Sequence, residues 1–288
     1  MIGGRSRTGR ELIRLLLDKR VRLRILTRFP EKVEGAENFL GDLAKPETLD
    51  QAMRGIDKVF LLSSPAEDAL AWHKNAIDAA SRAGISHLVR NSILGADPGS
   101  AARLISDHGK ADDYLRASGV SFTIIRPNFY MQNVASRWPP TIDPKGNYYA
   151  PAGNARLSMV DVKDVAAVAA HSIMEQGHVG KEYNVTGPES LTHAEACEKL
   201  GRRLGDLVTY VPVDDEAARQ AMTGAGLNKW LIDAVIELYQ DYRRSGPNGY
   251  ASKVYTTVRD ITGAKPRSLD QSLAEELAVP RGRGWSAS

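Results

Sequence analysis

The sequence predicts an α/β protein of the doubly wound kind, in which helices cover both faces of a parallel sheet and a smaller lobe follows. Three observations carry that reading. A small-residue turn, Gly3-Gly4-Arg5-Ser6-Arg7-Thr8-Gly9, runs directly into a segment whose apolar residues recur at helical spacing. Short apolar runs at 57–65, 86–92 and 121–127 have the composition of strands buried on both faces. Helical stretches separate these runs at the spacing of right-handed βαβ crossovers.

The elements follow in order. Residues 11–19 read as a helix and 21–27 as an alternating strand, the middle of a βαβ unit. Such a unit opens on a buried strand, yet only Met1 and Ile2 precede the glycines. The expectation is a sheet whose first strand is truncated, through a start placed too late or a shortened chain, with dinucleotide binding weakened if so. Residues 38–43 read as a short strand, and Pro46 with Glu47 opens a helix over 46–53. The run 57–65 ends in small polar residues, 67–83 is helical, 86–92 is a strand, 103–117 a helix and 121–127 another strand.

Beyond Pro127 the pattern changes. The Pro-, Gly- and aromatic-rich stretch 138–154 reads as a loop or short hairpin region. Residues 157–162 read as a return to the sheet, 165–174 as a helix and 182–186 as a strand. Helices near 193–204, 215–225 and 229–242 then build the smaller lobe. The expected division is a dinucleotide-binding part over 1–130, rejoined by 157–186, and a substrate lobe over 131–156 and 187–280. The tail 281–288 reads as disordered.

Composition excludes some functions. The net charge of +3 over 288 residues is small and the basic residues are scattered, which gives no sign of a nucleic-acid surface. A single cysteine, Cys197, rules out an intramolecular disulfide and a cysteine-based zinc cluster. With no apolar run of about 18 residues and no secretory signal, the expected location is cytoplasmic. His73, His87, His171, His178 and His193 show no metal-ligand spacing, so no metal is expected, and His108 is the only histidine placed near the expected site. No Gly-x-Ser-x-Gly elbow suggests hydrolase chemistry.

A glycine turn at a strand's end lets backbone N–H groups approach a pyrophosphate, and the helix behind it adds a favourable dipole. Here Gly3, Ser6 and Gly9 hold the three turn positions, with serine in place of the middle glycine, and Arg5, Arg7 and Thr8 lie between them. The end of the second strand selects the cofactor. An acid there would bind ribose hydroxyls, whereas this chain has Arg28 and then Lys32, cations suited to a 2′-phosphate. NADP(H) is favoured over NAD(H), against the plainer reading of Arg28 as a solvated loop arginine. Asp42 and Leu43 would meet the adenine edge, and Ser63, Ser64 and Pro65 would run beside the pyrophosphate and nicotinamide ribose.

These residues resemble the NmrA-like branch of the atypical short-chain dehydrogenase/reductases, near its bacterial quinone and triphenylmethane-dye reductases. The resemblance spans nearly the whole chain. It is carried by Arg24-Ile25-Leu26-Thr27-Arg28-Phe29-Pro30-Glu31-Lys32, Gly41-Asp42-Leu43 and His108-Gly109-Lys110-Ala111, together with Ile125-Arg126-Pro127-Asn128-Phe129-Tyr130-Met131-Gln132-Asn133, Asp161-Val162-Lys163-Asp164-Val165-Ala166 and Thr186-Gly187-Pro188-Glu189. It implies a Rossmann domain with a small C-terminal substrate lobe and NADP(H) as the usual cofactor. Pro127, Asn128 and Phe129 fall where this family contacts the nicotinamide.

Short-chain dehydrogenases commonly use a Tyr-x-x-x-Lys pair, the lysine lowering the tyrosine pKa. The resemblance puts Lys110 on the lysine and Ser106 on the tyrosine, and a serine hydroxyl is too weak an acid to replace it. The departure fits reduction of an electrophilic aromatic such as a quinone or dye, with Lys110 as the catalytic candidate against its reading as a solvated helix lysine. Asn91 and Ser92 would donate hydrogen bonds beside the nicotinamide, and Tyr130 is the nearest other phenol. Trp138, Tyr148, Tyr149 and Trp230 would supply an acceptor pocket unless they pack in the core. The alternative function is an NADP(H)-sensing regulator without turnover, which would require a protein partner. A homodimer is compatible with the sequence but not specified by it.

Overall fold

The fold is described from a computed structural model covering residues 1–29 and 32–277. The predicted tail, 281–288, lies outside the described residues. Helix α1 (Arg7–Asp18) leads to the parallel pair β1 (Arg24–Thr27) and β2 (Glu37–Leu40). After α2 (Pro46–Met53) come β3 (Lys58–Leu61), α3 (Ala69–Arg82), β4 (His87–Asn91), α4 (Arg103–Ala117) and β5 (Phe122–Pro127). With β7 (Lys181–Val185), these strands form a parallel sheet in the order β3-β4-β5-β7.

Met1 and Ile2 join the two groups of strands. The Ile2 N–H donates to the Phe60 carbonyl at 2.9 Å, and the Leu26 N–H donates to the Met1 carbonyl at 2.9 Å. Ile2 forms a single parallel bridge to Leu26. One rung therefore stands between β1 and β3, where the sequence leads one to expect a full strand. Apolar side chains of Leu26, Leu49, Ala52, Met53, Ile56 and Val59 line a cavity around it.

Alternation along each strand builds two cores. Val59, Leu61, Leu88 and Ile124 pack with Leu49, Met53, Ala76 and Ile77 from α2 and α3. Phe60, Leu62, Val89 and Ile125 point to the other face, against Leu12 and Leu16 of α1 and Val165 and Val168 of α6 (Val162–Met174). A strand buried on both faces has no polar side to offer, which is why these runs are almost continuously apolar.

Past β5 the chain builds a third core from α5 (Met131–Ser136), β6 (Asn147–Ala150), α7 (His193–Leu204), β8 (Thr209–Pro212), α9 (Lys229–Ser245) and α11 (Leu269–Glu276), while α8 (Asp215–Gly224) packs on α9 in a small cluster of its own and α10 (Thr257–Thr262) packs against the α6 face of the sheet. Two expectations are corrected here. The stretch 138–154 is neither a plain loop nor a hairpin, since its β6 pairs in parallel with β8. The segment 157–162 does not rejoin the sheet as a strand; it makes single bridges, Leu157 to Leu191 and Tyr130 to Val160. Its backbone is spent on the lobe instead: the Ser158 N–H donates to the Ala251 carbonyl, and the Ser158 hydroxyl bonds the carbonyls of Ala251 and Lys253.

Candidate nucleotide and acceptor site

The glycine turn is shaped by close approach. Gly3 adopts φ +86°, and a Cβ there would sit 2.5 Å from the Leu62 carbonyl oxygen. A Cβ on Gly9 would collide with the Gly3 carbonyl oxygen, so only glycine lets α1 start this tightly against the turn. Ser6 is the N-cap of α1: its hydroxyl accepts from the Gly9 N–H at 2.9 Å and donates to the Gly3 carbonyl at 2.8 Å. The first turn of α1 carries no acid, leaving the positive end of the helix dipole uncompensated. Thr8 is buried behind the turn, and Arg7 pairs with Glu276 of α11 at 2.6 Å.

At the end of β1, Phe29 is 44% exposed and two guanidinium groups meet on its ring, Arg5 at 4.3 Å and Arg28 at 5.8 Å from the centroid. Lys32 is exposed. Asp42 and Leu43 follow β2, half-buried; the Asp42 carboxylate accepts from the Ala44 N–H, and the Leu43 carbonyl accepts from Asn75.

Ser63, Ser64 and Pro65 leave the end of β3 and line a cavity with Ala66, Ala69, Leu70, His73, Leu104, Asp107 and His108. At the end of β4, Asn91 donates weakly to the Tyr130 hydroxyl at 3.4 Å, while its buried Oδ1 has no partner within the protein. Ser92 is buried, and its hydroxyl donates to Asp112 at 3.0 Å. Pro127 closes β5. The Asn128 amide is fully engaged, donating to Ser158 and Ala251 and accepting from the Phe129 N–H. Phe129 leans on Trp138 and His193 at the edge of the third core.

The α4 side chains fall on different faces. Leu104, Asp107 and His108, at i, i+3 and i+4, line the cavity. Lys110 is exposed, its nearest acid Asp107 at 3.8 Å. Ser106 is buried, its hydroxyl donating to the Pro98 carbonyl at 2.9 Å. Trp138 stacks on Tyr148 with centroids 4.3 Å apart and both are buried, so these two aromatics are core; Tyr149 is exposed.

Sequence reasoning missed what holds the cavity floor. Arg90, fully buried and next to last in β4, donates to Asp112 from one nitrogen and, from the other, to Nδ1 of His73 at 3.0 Å and of His108 at 3.1 Å. Arg126 adds two further bonds to Asp112. His73 Nε2 lies 2.9 Å from the Ser63 hydroxyl. His108 is thus not the only histidine at the site. Burial, reinforced by the Arg90 charge, holds both imidazoles well below the usual histidine pKa. One signal was readable: an arginine in a strand read as buried on both faces requires a buried acid, and Asp112 lies one helical turn after His108.

A glycine turn that only glycine fits, a helix N-terminus free of acids and a buried acceptor with no partner at the neighbouring strand end together suit a dinucleotide. Residues 3–176 match the family model described as NAD(P)H-binding. The chain belongs to the NAD(P)H-binding family. It is 34% identical over 274 residues to the NAD(P)H azoreductase of Xenophilus azovorans, covering 93% of this chain and 94% of that one. It is 29% identical over 197 residues to quinone oxidoreductase 2 of Escherichia coli, covering 68% of each. The structure of the E. coli NADPH-dependent quinone oxidoreductase complexed with NADPH superposes with a TM-score of 0.85 at 25% identity, over 96% of this chain and 98% of that one. The negative transcriptional regulator NmrA shares the fold, with a TM-score of 0.76 at 20% identity, over 96% of each chain. Among the described residues no helix is long and apolar enough to cross a membrane, and no group of three or more His, Cys, Asp or Glu gathers as a metal site.

Proposed function

We propose that this family member is an NADP(H)-dependent reductase that passes a hydride to a small electrophilic aromatic acceptor, a quinone or dye, in the cytoplasm. The observation that carries the reading is the cavity beside Ser63 and Ser64, whose polar lining includes a hydroxyl pair and two imidazoles but no tyrosine–lysine pair. Such a lining lacks the phenol and lysine of alcohol–ketone chemistry, and its one carboxyl is Asp107, whose pKa burial raises. It suits an acceptor that is already electrophilic, and the names of the azo and quinone reductase relatives support the same class.

The bound cofactor would supply the hydride. Backbone N–H groups at the start of α1 would receive its pyrophosphate, Arg5 and Arg28 its 2′-phosphate, and Asp42 with Leu43 its adenine edge. Asn91 Oδ1 would accept from the carboxamide, with Ser92 and Pro127 to Phe129 nearby. Residues 131–156 and 187–280 would form the lobe that encloses the acceptor. Lys110, exposed and 3.8 Å from the cavity-lining Asp107, would reach for the nicotinamide ribose.

The buried Ser106 where a catalytic tyrosine would stand also favours a second reading, an NADP(H) sensor of the NmrA type that works through a protein partner. Stopped-flow oxidation of bound NADPH by a panel of quinones and cationic dyes separates the two. Turnover with at least one acceptor is expected; tight NADPH binding with no oxidation by any acceptor would favour the sensor.

A further inference from the structure

We infer that His108 is the hydrogen-bond donor to the acceptor oxygen on which negative charge develops, and that Arg90 is the positioning residue that fixes its donor nitrogen. The inference rests on the reductase reading above. Its ground is a constraint on protons. A guanidinium has only N–H donors, so each imidazole nitrogen it bonds must be an acceptor. The same Arg90 nitrogen reaches Nδ1 of both His73 and His108. Both rings therefore carry their hydrogen on Nε2, and neither can be an imidazolium while these bonds hold.

The two Nε2–H groups have different targets. That of His73 points at the Ser63 hydroxyl, 2.9 Å away. His108 is less buried than His73 and lines the same cavity as Ser63 and Ser64, with its ring centroid 5.7 Å from that of His73. Its Nε2–H is thus left for a guest in the cavity. Arg90 is fully buried and braced by Asp112, which Arg126 and Ser92 hold from the other side, so this tautomer is built into the sheet rather than chosen by solvent.

The step balances without an acid. The acceptor gains the hydride that NADPH gives up on becoming NADP⁺, and a carbonyl π pair of the quinone ends as a phenolate-type lone pair. His108 N–H bonds to that oxygen and keeps its proton; the proton that completes the quinol comes from water. A fixed donor aimed at developing charge accelerates such a step, as an oxyanion hole does.

The test compares His108→Leu, which lacks the donor, with His108→Gln, which keeps a neutral N–H. With NADPH and the best quinone of the panel, His108→Leu should lower kcat by roughly 100-fold with NADPH affinity unchanged, and His108→Gln should recover most of the loss. A His108→Leu kcat within about twofold of wild type overturns the inference while leaving the reductase reading intact. Imidazole ¹⁵N NMR reads the same claim without turnover. His73 and His108 should both show the neutral Nε2–H pattern, and the His108 signal should shift when 4-nitrophenolate is added with NADP⁺. A protonated or Nδ1–H His108, or no shift, overturns it even if no acceptor is ever reduced. Arg90→Gln should release the tautomer in the same spectra; if that variant does not fold, the two His108 variants still decide.

Discussion

Arg28 and Arg5 come from different ends of the sequence's first βα unit yet meet on one exposed ring, Phe29. A phosphate placed there would accept charge-assisted hydrogen bonds from both, each worth more than a neutral bond. Arg28→Ala should therefore weaken NADPH by roughly 10- to 100-fold and NADH only slightly, measured by fluorescence titration of both cofactors. Equal weakening of the two would remove the phosphate-clamp argument. Gly9 makes a sterner case. Any Cβ there meets the Gly3 carbonyl oxygen, backbone that cannot rotate away, so Gly9→Ala should push α1 off the turn. Loss of NADPH binding together with lower stability is expected, and a normal titration would show that the turn is softer than its contacts imply.

At the scale of elements, β4 and α4 are locked by one buried ion pair, Arg90 with Asp112, both at or below 1% side-chain exposure. Desolvation pulls the Arg90 pKa down to about 10 even against the attraction of Asp112. Removing the acid leaves that charge buried and uncompensated, so Asp112→Ala should cost about 3–5 kcal/mol in urea denaturation, far more than an exposed pair such as Arg14 with Asp18 would. A loss under about 1 kcal/mol would mean that water reaches the site and solvates the Arg90 charge. The same elements show what sequence can convey. Helices at 46–53, 103–117 and 193–204 were readable to the residue, because their apolar spacing is local, as are the Pro46 that opens the first and the Thr192–Glu195 capping box of the last. The β6–β8 pairing was not, since parallel strands about 60 residues apart leave no local signature. Nor was the irregular run at 157–162, whose pattern is apolar but whose partners, Ala251 and Lys253, lie far along the chain. The cofactor turn was legible because glycine requirements are local; the Arg90 cluster was not, because it gathers four elements, α3, β4, α4 and β5.

For the molecule as a whole, the single rung made by Met1 and Ile2 is the seam between β1–β2 and the four-stranded sheet. The Met1 ammonium donates to the Arg24 carbonyl at 2.6 Å, and burial, with the Arg24 charge second, lowers its pKa from 8.0 to about 5. The sign follows from linkage: below pH 8 the unfolded chain takes up a proton that the native amine resists, so stability falls as pH falls from 8 towards 5. Between pH 8 and 6.5 the amine should cost roughly 1.5 kcal/mol, and the depressed histidines His73, His87, His108 and His193 add a loss of the same sign that grows towards the lower end of that window. Placing about four alternating apolar residues ahead of Met1 would move the charge out of the seam and lay side chains into the cavity lined by Leu26, Leu49, Met53 and Val59. The extended protein should melt several degrees higher, bind NADPH more tightly and show a shallower pH slope between 6.5 and 8, keeping only the part that the histidines supply. Melting curves at those two pH values, run on both proteins, check this. Parallel slopes and equal melting temperatures would show that one rung already closes the sheet as firmly as a strand.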